Sequence, residues 1–224
     1  QVYRDAGRYD GEIRRTVSHL RNALPYATDD MAAALQALMR FYETGEDGDR
    51  RAYDIAWVSD QESPVDTING FIEVYLDPRG TKGAWEGIVY YVNEEKTRKL
   101  QALAAHAQWF EDRMPWDARF RKTQVTGITA RAVEAIVETG DSGPLSPIGI
   151  NLPNDQAIRE AYGSKSVSLV NVNEAYEEST PAALRAEFSW SADEAERART
   201  WGALTQELTT AMHEVIGHGS GRMA

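Results

Sequence analysis

From Asp5 to Leu24 the apolar residues Tyr9, Ile13, Val17, Leu20 and Leu24 recur every three or four positions, and the stripe stops near Pro25. That period marks one face of an α-helix, so a helix is predicted there. A second is predicted over about residues 29–43, with Met31, Leu35, Leu38, Met39 and Tyr42 on its apolar face and Gly45 as its C-cap. The acidic run GEDGD that follows reads as a loop, and the pattern changes character from DIAWVSD onward. Residues 71–76 and 88–92 are short, β-branched and aromatic, with Pro78, Gly80 and Gly83 between them. They predict a β-hairpin with a long connection.

A helix rich in Leu and Ala is expected over about 94–112. The segment TARAVEAIVETG alternates like a strand, while its alanines favour a helix, and the pattern leaves both open. GDSGPLSPIGINLPND reads as a loop, followed by a short helix near 155–162 and a strand in SVSLVNV. The last long helix opens on Ser191, with Glu194 three residues on, a capping box. Along it Trp201, Leu204, Leu208, Met212 and Val215 form an apolar stripe, so that face is expected to be buried at least in part. This order of elements argues for an α+β fold with interleaved lobes.

Composition narrows the function classes. The 224 residues carry 24 Lys plus Arg against 35 Asp plus Glu, a net charge of -11, which disfavours nucleic acid as a partner. Cysteine is absent, excluding disulfides and thiolate metal sites and fitting a reducing, cytoplasmic setting. No apolar run has membrane-spanning length. The chain starts at Gln1 and runs only six residues past His218, so it is expected to be a piece of something larger.

The chemistry gathers in the closing stretch HEVIGHGSGR. The zinc-hydrolase signature sets two histidines four residues apart on one helix face, with a glutamate beside the first. Here His213 and His218 are five apart. At about 100° per residue they would diverge by about 140° in a regular helix. One widened, π-type turn absorbs the extra residue and returns both to one face, and Gly217 sits where such a distortion is cheap. Glu214 is then the residue type that takes a proton from a metal-activated water. The alternative is an exposed and a core histidine near a helix end. His19 and His106 lie alone in helical stretches and read as surface or packing residues.

HEVIGHGSGR resembles the HExxGH zinc motif of the dipeptidyl peptidase III metallopeptidases, with their Gly-Ser-Gly-basic continuation. NGFIEVYLDPRGTKGAWEGIVYYVN is similar to that family's Gly-Phe-Ile-Glu-x-Tyr-x-Asp-Pro segment and the Glu-Gly strand after it. GINLPND and SVSLVNV resemble its Gly-Ile-Asn-x-Pro-Asn segment and Val-Ser-Leu strand. The three motifs keep the family order from about Trp57 to Arg222, and the resemblance is weak before that.

The resemblance implies a two-lobed protein that removes dipeptides from the free N-terminus of short peptides. One lobe contains a β-barrel, and the other is mostly helical and binds zinc. Residues 1–93 and 135–180 are assigned to the first lobe, and 94–134 and 181–224 to the second, truncated at its C-terminal side. His213 and His218 would be zinc ligands and Glu214 the general base, with a third ligand, a glutamate, expected outside this chain. Without it the 224 residues are expected to bind zinc weakly and turn nothing over, with residues 215–222 loosely held. Glu73 would receive the substrate ammonium, with Tyr75 two residues on along the same strand face. Asn151 and Asn154 would hold the substrate amine and backbone. The competing reading is a non-catalytic peptide-binding module that keeps the cleft wall. Glu43-Thr44-Gly45-Glu46, similar to a short acidic peptide bound by some Kelch-repeat propellers, is better read as a helix cap and acidic loop.

Overall fold

The computed structural model describes residues 3–125, 128–143 and 146–222. Pro144 and Leu145 of the expected loop GDSGPLSPIGINLPND lie outside them, and its Gly149–Leu152 portion is a strand rather than loop, fixed by pairing with residues 165–168. In chain order the helices and strands are α1 Asp10–Ala23, α2 Asp29–Thr44, α3 Asp47–Ser59, β1 Val65–Phe71, β2 Trp85–Val92, α4 Glu94–Ala105, α5 Ala107–Glu111, β3 Ile128–Gly140, β4 Gly149–Leu152, α6 Gln156–Tyr162, β5 Ser164–Leu169, α7 Val170–Ser179, α8 Ala182–Glu187 and α9 Ala192–Ala211. A π-helical turn, Met212–Gly217, continues α9. The mixed α+β class expected from the pattern is observed. Two compact units form, residues 1–64 with 153–164, and residues 65–152 with 165–224. The expected lobe boundaries concern a larger protein; the units within this chain divide elsewhere, at 64/65, 152/153 and 164/165.

The first unit is helical. Met31, Leu35, Leu38, Met39 and Tyr42 of α2 are all buried, as their spacing required. Thr28 caps this helix by accepting from the Met31 N–H, and Gly45 closes it in the left-handed conformation at φ 69°. The expected loop GEDGD is instead the start of α3, whose first turn holds Asp47 and Asp49 where carboxylates favour the helix dipole. Thr44 donates to Asp49 at 2.6 Å, so Glu43-Thr44-Gly45-Glu46 is the joint between two helices. Tyr53, Trp57 and Val58 of α3 enter the core.

The second unit is built on a five-stranded sheet of order β1-β2-β3-β5-β4. The hairpin is present, but its first strand ends at Phe71 and pairs antiparallel with β2 in the register Val65↔Tyr91 to Phe71↔Trp85. The predicted 71–76 strand was therefore set too far along. TARAVEAIVETG falls within β3, the strand alternative, with a bulge at Ile136 where the register against β2 shifts. Inside the sheet, Tyr90 and Lys165 both donate to the Asp66 carboxylate, at 3.0 and 2.9 Å. Lys165 and Asp66 are almost wholly buried, and a charge so placed stays only with such a partner.

The expected 94–112 helix breaks at His106, whose Nδ1 meets the Ala102 carbonyl at 2.7 Å. Helix α9 begins as expected, Ser191 accepting from the Glu194 N–H. The glutamate, however, reaches back to the Trp190 N–H at 2.8 Å. The stripe along α9 is buried only at its end. Val215 is in the core, whereas Trp201, Leu204 and Leu208 are exposed. Among the described residues no helix is long and apolar enough to cross a membrane.

Candidate metal centre

The end of α9 is held by what lies beneath it. Val215 and Ile216 join Leu100, Ala107, Ala130, Ala132, Val170 and Ala211 in one apolar cluster. Burying two such side chains contributes about 1.5–3 kcal/mol each, which fixes the turn's rotation about the helix axis. In a regular helix the His218 N–H would donate to the Glu214 carbonyl. It donates to the His213 carbonyl instead, at 3.0 Å, one residue further back. With Val215 and Ile216 turned inward, His213 and His218 are both exposed on the outer side. Their ring centres lie 4.9 Å apart with the planes at 82°.

One ligand atom from each of His213, Glu214 and His218 lies within 4.8 Å of the others. The two exposed imidazoles are nitrogen ligands of the kind a zinc ion takes, with the Glu214 carboxylate, 7% exposed, close enough to act beside them. The His218 Nε2 stands 3.9 Å from Glu214 Oε2. The residues present therefore fit the implied metal in type and spacing.

Glycine proves necessary at places the sequence reading did not choose. A Cβ on Gly217 would meet only the Met212 carbonyl oxygen, at an ordinary 3.7 Å, so the widened turn does not need glycine there. Gly219 is different, since a Cβ would lie 2.3 Å from the Val215 carbonyl oxygen and 2.5 Å from Ile128. Gly149 on β4 faces the Glu214 carboxylate at similarly close range.

The segment after the turn, expected to be loose, is tied down. Lys122 Nζ donates to the Gly219 carbonyl at 2.7 Å. The buried Glu111 carboxylate accepts from the Lys122 and Gly221 N–H groups at 2.8 and 2.9 Å. Arg222 N–H donates to the Phe120 carbonyl at 2.9 Å. The basic continuation of the motif is thus fastened to residues 111–122 within the same unit.

Glu73 and Tyr75 lie on the connection beyond β1 rather than on a strand. The ladder extends just far enough to hold Glu73, whose carbonyl accepts from Ala84 N–H at 2.8 Å. Next, Asp77 closes a tight loop by accepting from the N–H groups of Arg79, Thr81 and Lys82. Those donors hold its carboxyl at about 2, below the usual 3.8. Tyr75 is 82% exposed. Its phenol is pushed up by local desolvation, then by Glu73 beside it, and more weakly by Glu86 and Glu214.

Asn151 is buried on β4 and donates to Ser166 at 2.6 Å and to the Glu214 carbonyl at 3.3 Å. Asn154 is exposed and belongs to the first unit. Gly149, Ser166, Glu86 and Glu111 were not singled out from sequence. The available signal was weak: buried polar residues in strands, at Glu86 and in the alternation Ser164, Ser166, Ser168.

A sequence profile of peptidase family M49 matches residues 1–224. The chain is 33% identical to dipeptidyl peptidase 3 of Dictyostelium discoideum over 223 residues, covering 97% of this chain and 30% of that protein. Against dipeptidyl peptidase 3 of Homo sapiens it is 29% identical over 222 residues, covering 97% and 29%. The structure is similar to that of DPP III from Caldithrix abyssi, with a TM-score of 0.79 at 25% identity, covering 96% of this chain and 40% of that one. This chain spans under a third of the length of the curated relatives. By the whole-length profile match and these relatives, it belongs to peptidase family M49.

Proposed function

We propose that the protein to which these residues belong is a zinc-dependent exopeptidase releasing dipeptides from the N-terminus of short peptides. The observation that carries this is the π-helical turn bringing His213, Glu214 and His218 within 4.8 Å of one another. His213 and His218 would hold the metal, with a third ligand from residues outside these 224. A zinc ion there supplies Lewis acidity toward water and the scissile carbonyl. Glu214 takes the proton of the attacking water and returns it to the departing amine, the base-then-acid role its position beside the histidines allows.

Glu73 is assigned to the substrate ammonium and Tyr75 to the peptide beside it on the likeness of NGFIEVYLDP alone, a carboxylate being the group that a cationic terminus pairs with. Asn151 and Asn154 are assigned to the peptide amine and backbone on the likeness of GINLPND alone. In the whole protein, residues 1–93 and 135–180 are assigned to a β-containing lobe, and 94–134 and 181–224 to a helical one. A cytoplasmic location is proposed from the absence of cysteine.

The test is hydrolysis of dipeptide amides by the full-length protein, which a chelator and Glu214→Gln should each abolish. Turnover that survives both would overturn the proposal. Peptide binding without turnover in the unmodified, zinc-loaded protein would favour the non-catalytic module instead.

A further inference from the structure

The residue inserted between the two histidines has a consequence for the main chain. Because the His218 N–H goes to the His213 carbonyl, the Glu214 carbonyl loses the donor a regular helix would supply. That carbonyl accepts instead from two side chains of the sheet below, Ser166 Oγ at 2.9 Å and Asn151 Nδ2 at 3.3 Å. Asn151 Nδ2 also donates to Ser166 Oγ at 2.6 Å, which leaves the serine proton directed at Glu214. Both side chains are buried, Ser166 at 1% and Asn151 at 8% exposure. They stand opposite each other in the β4–β5 register, Asn151↔Ser166, so two paired strands present one two-donor clamp. Two positions before Asn151, on the same strand face, Gly149 lies against the Glu214 side chain.

We infer that Asn151 and Ser166 are positioning residues: by holding the Glu214 carbonyl they stabilise the π-helical register that puts His213 and His218 on one face and seats the Glu214 carboxylate. A buried carbonyl left without donors would be costly, and the regular register would recover one by returning the His218 N–H to Glu214. The clamp removes that incentive. It acts through the main chain, so any contact of Asn151 with a peptide would be additional. The register claim stands by itself; its consequence for the base and metal rests on the function proposed above.

The experiment uses the full-length protein to which these residues belong, isotopically labelled, as Ser166→Ala, Asn151→Asp and, for comparison, Ser168→Ala. Ser168 is a buried hydroxyl on the same face of β5. Three quantities are read: the Glu214 carbonyl carbon resonance, hydrogen exchange of the His218 amide, and Co(II) binding through its visible absorption. Ser166→Ala should shift the Glu214 carbonyl resonance upfield, speed His218 exchange about tenfold, and weaken Co(II) binding by a similar factor. Asn151→Asp, which replaces a donor with an acceptor, should do the same or more, while Ser168→Ala should change none of the three. Glu214 and His218 signals unchanged in folded Ser166→Ala would overturn the inference. So would an equal response from Ser168→Ala. If the unmodified full-length protein gave no Co(II) spectrum, that would count against the metal reading, while the resonance and exchange measurements would still decide the clamp.

Discussion

Gly149 on β4 lies directly against Glu214: a Cβ built there would sit 2.5 Å from Oε1 and 2.6 Å from Cγ of the carboxylate side chain. Non-bonded atoms do not approach so closely without one of them moving. The strand that supplies half of the carbonyl clamp therefore also sets where the carboxylate can rest. Gly149→Ala in the full-length protein should leave the fold intact but displace the base, and kcat should fall about a hundredfold, the cost of an ångström-scale misplacement. A variant with unchanged kcat would mean that the carboxylate does not act from this seat.

Gly217 and Gly219 should respond to alanine in opposite directions. Gly217 is open, so Gly217→Ala should be neutral or stabilise the chain by up to about 1 kcal/mol through helix propensity. Gly219→Ala drives a Cβ into the Val215 carbonyl and Ile128, and should cost about 1–3 kcal/mol. Urea unfolding of the two variants compares them directly. Equal midpoints would be incompatible with this geometry.

Glu111 is buried, and its two oxygens serve the N–H groups of Lys122 and Gly221. In Glu111→Gln one side of the side chain becomes a donor facing a donor, at a cost of about 2 kcal/mol. Exchange at the Gly221 amide should rise with it, while exchange in α2, in the other unit, stays as before. A Gly221 amide still protected as in the unmodified chain would show that the carboxylate is not what holds residues 219–222.

Asp77 gives a pH dependence whose sign follows from its donors. Its carboxyl is held down to about 2 from the usual 3.8, so the ionised form is favoured in the folded loop. Its contribution is complete above the unfolded value near 3.8 and is lost as pH falls toward 2. The amide resonances of Thr81 and Lys82 should therefore move with an acid midpoint near 2, and Asp77→Asn should remove that midpoint. A midpoint at 3.8 or above would show that the loop does not favour the carboxylate.

Much of this arrangement was legible from spacing. The five-residue interval between His213 and His218 required a widened turn if the two were to share a face, and the turn is there. The reason offered for it was wrong in part: the need for glycine falls on Gly149 and Gly219, because close approach is a tertiary fact that a local pattern does not carry. Helix α3 was lost because GEDGD has the composition of a turn, although Asp47 and Asp49 serve its first turn and Tyr53, Trp57 and Val58 keep the helical period behind it. The strand before Glu73 was misplaced because Phe71, Ile72, Val74 and Tyr75 have strand propensity, whereas pairing with β2 selected residues 65–71. Nothing in the chain's periodicity could show that Ser166 would meet Glu214, 48 positions away.

Those separations also set an order of events during synthesis. The clamp residues Asn151 and Ser166 are made 63 and 48 positions before Glu214, and Glu111 precedes its partner Gly221 by 110. A chain growing from its N-terminus can therefore complete the sheet while the histidines and the carboxylate do not yet exist. Contacts of such long range close slowly, so the turn is expected to settle onto a seat already built. The turn carrying His213, Glu214 and His218 thus settles after its scaffold, and a nascent chain holds the paired strands of the seat before it holds the residues that rest on them.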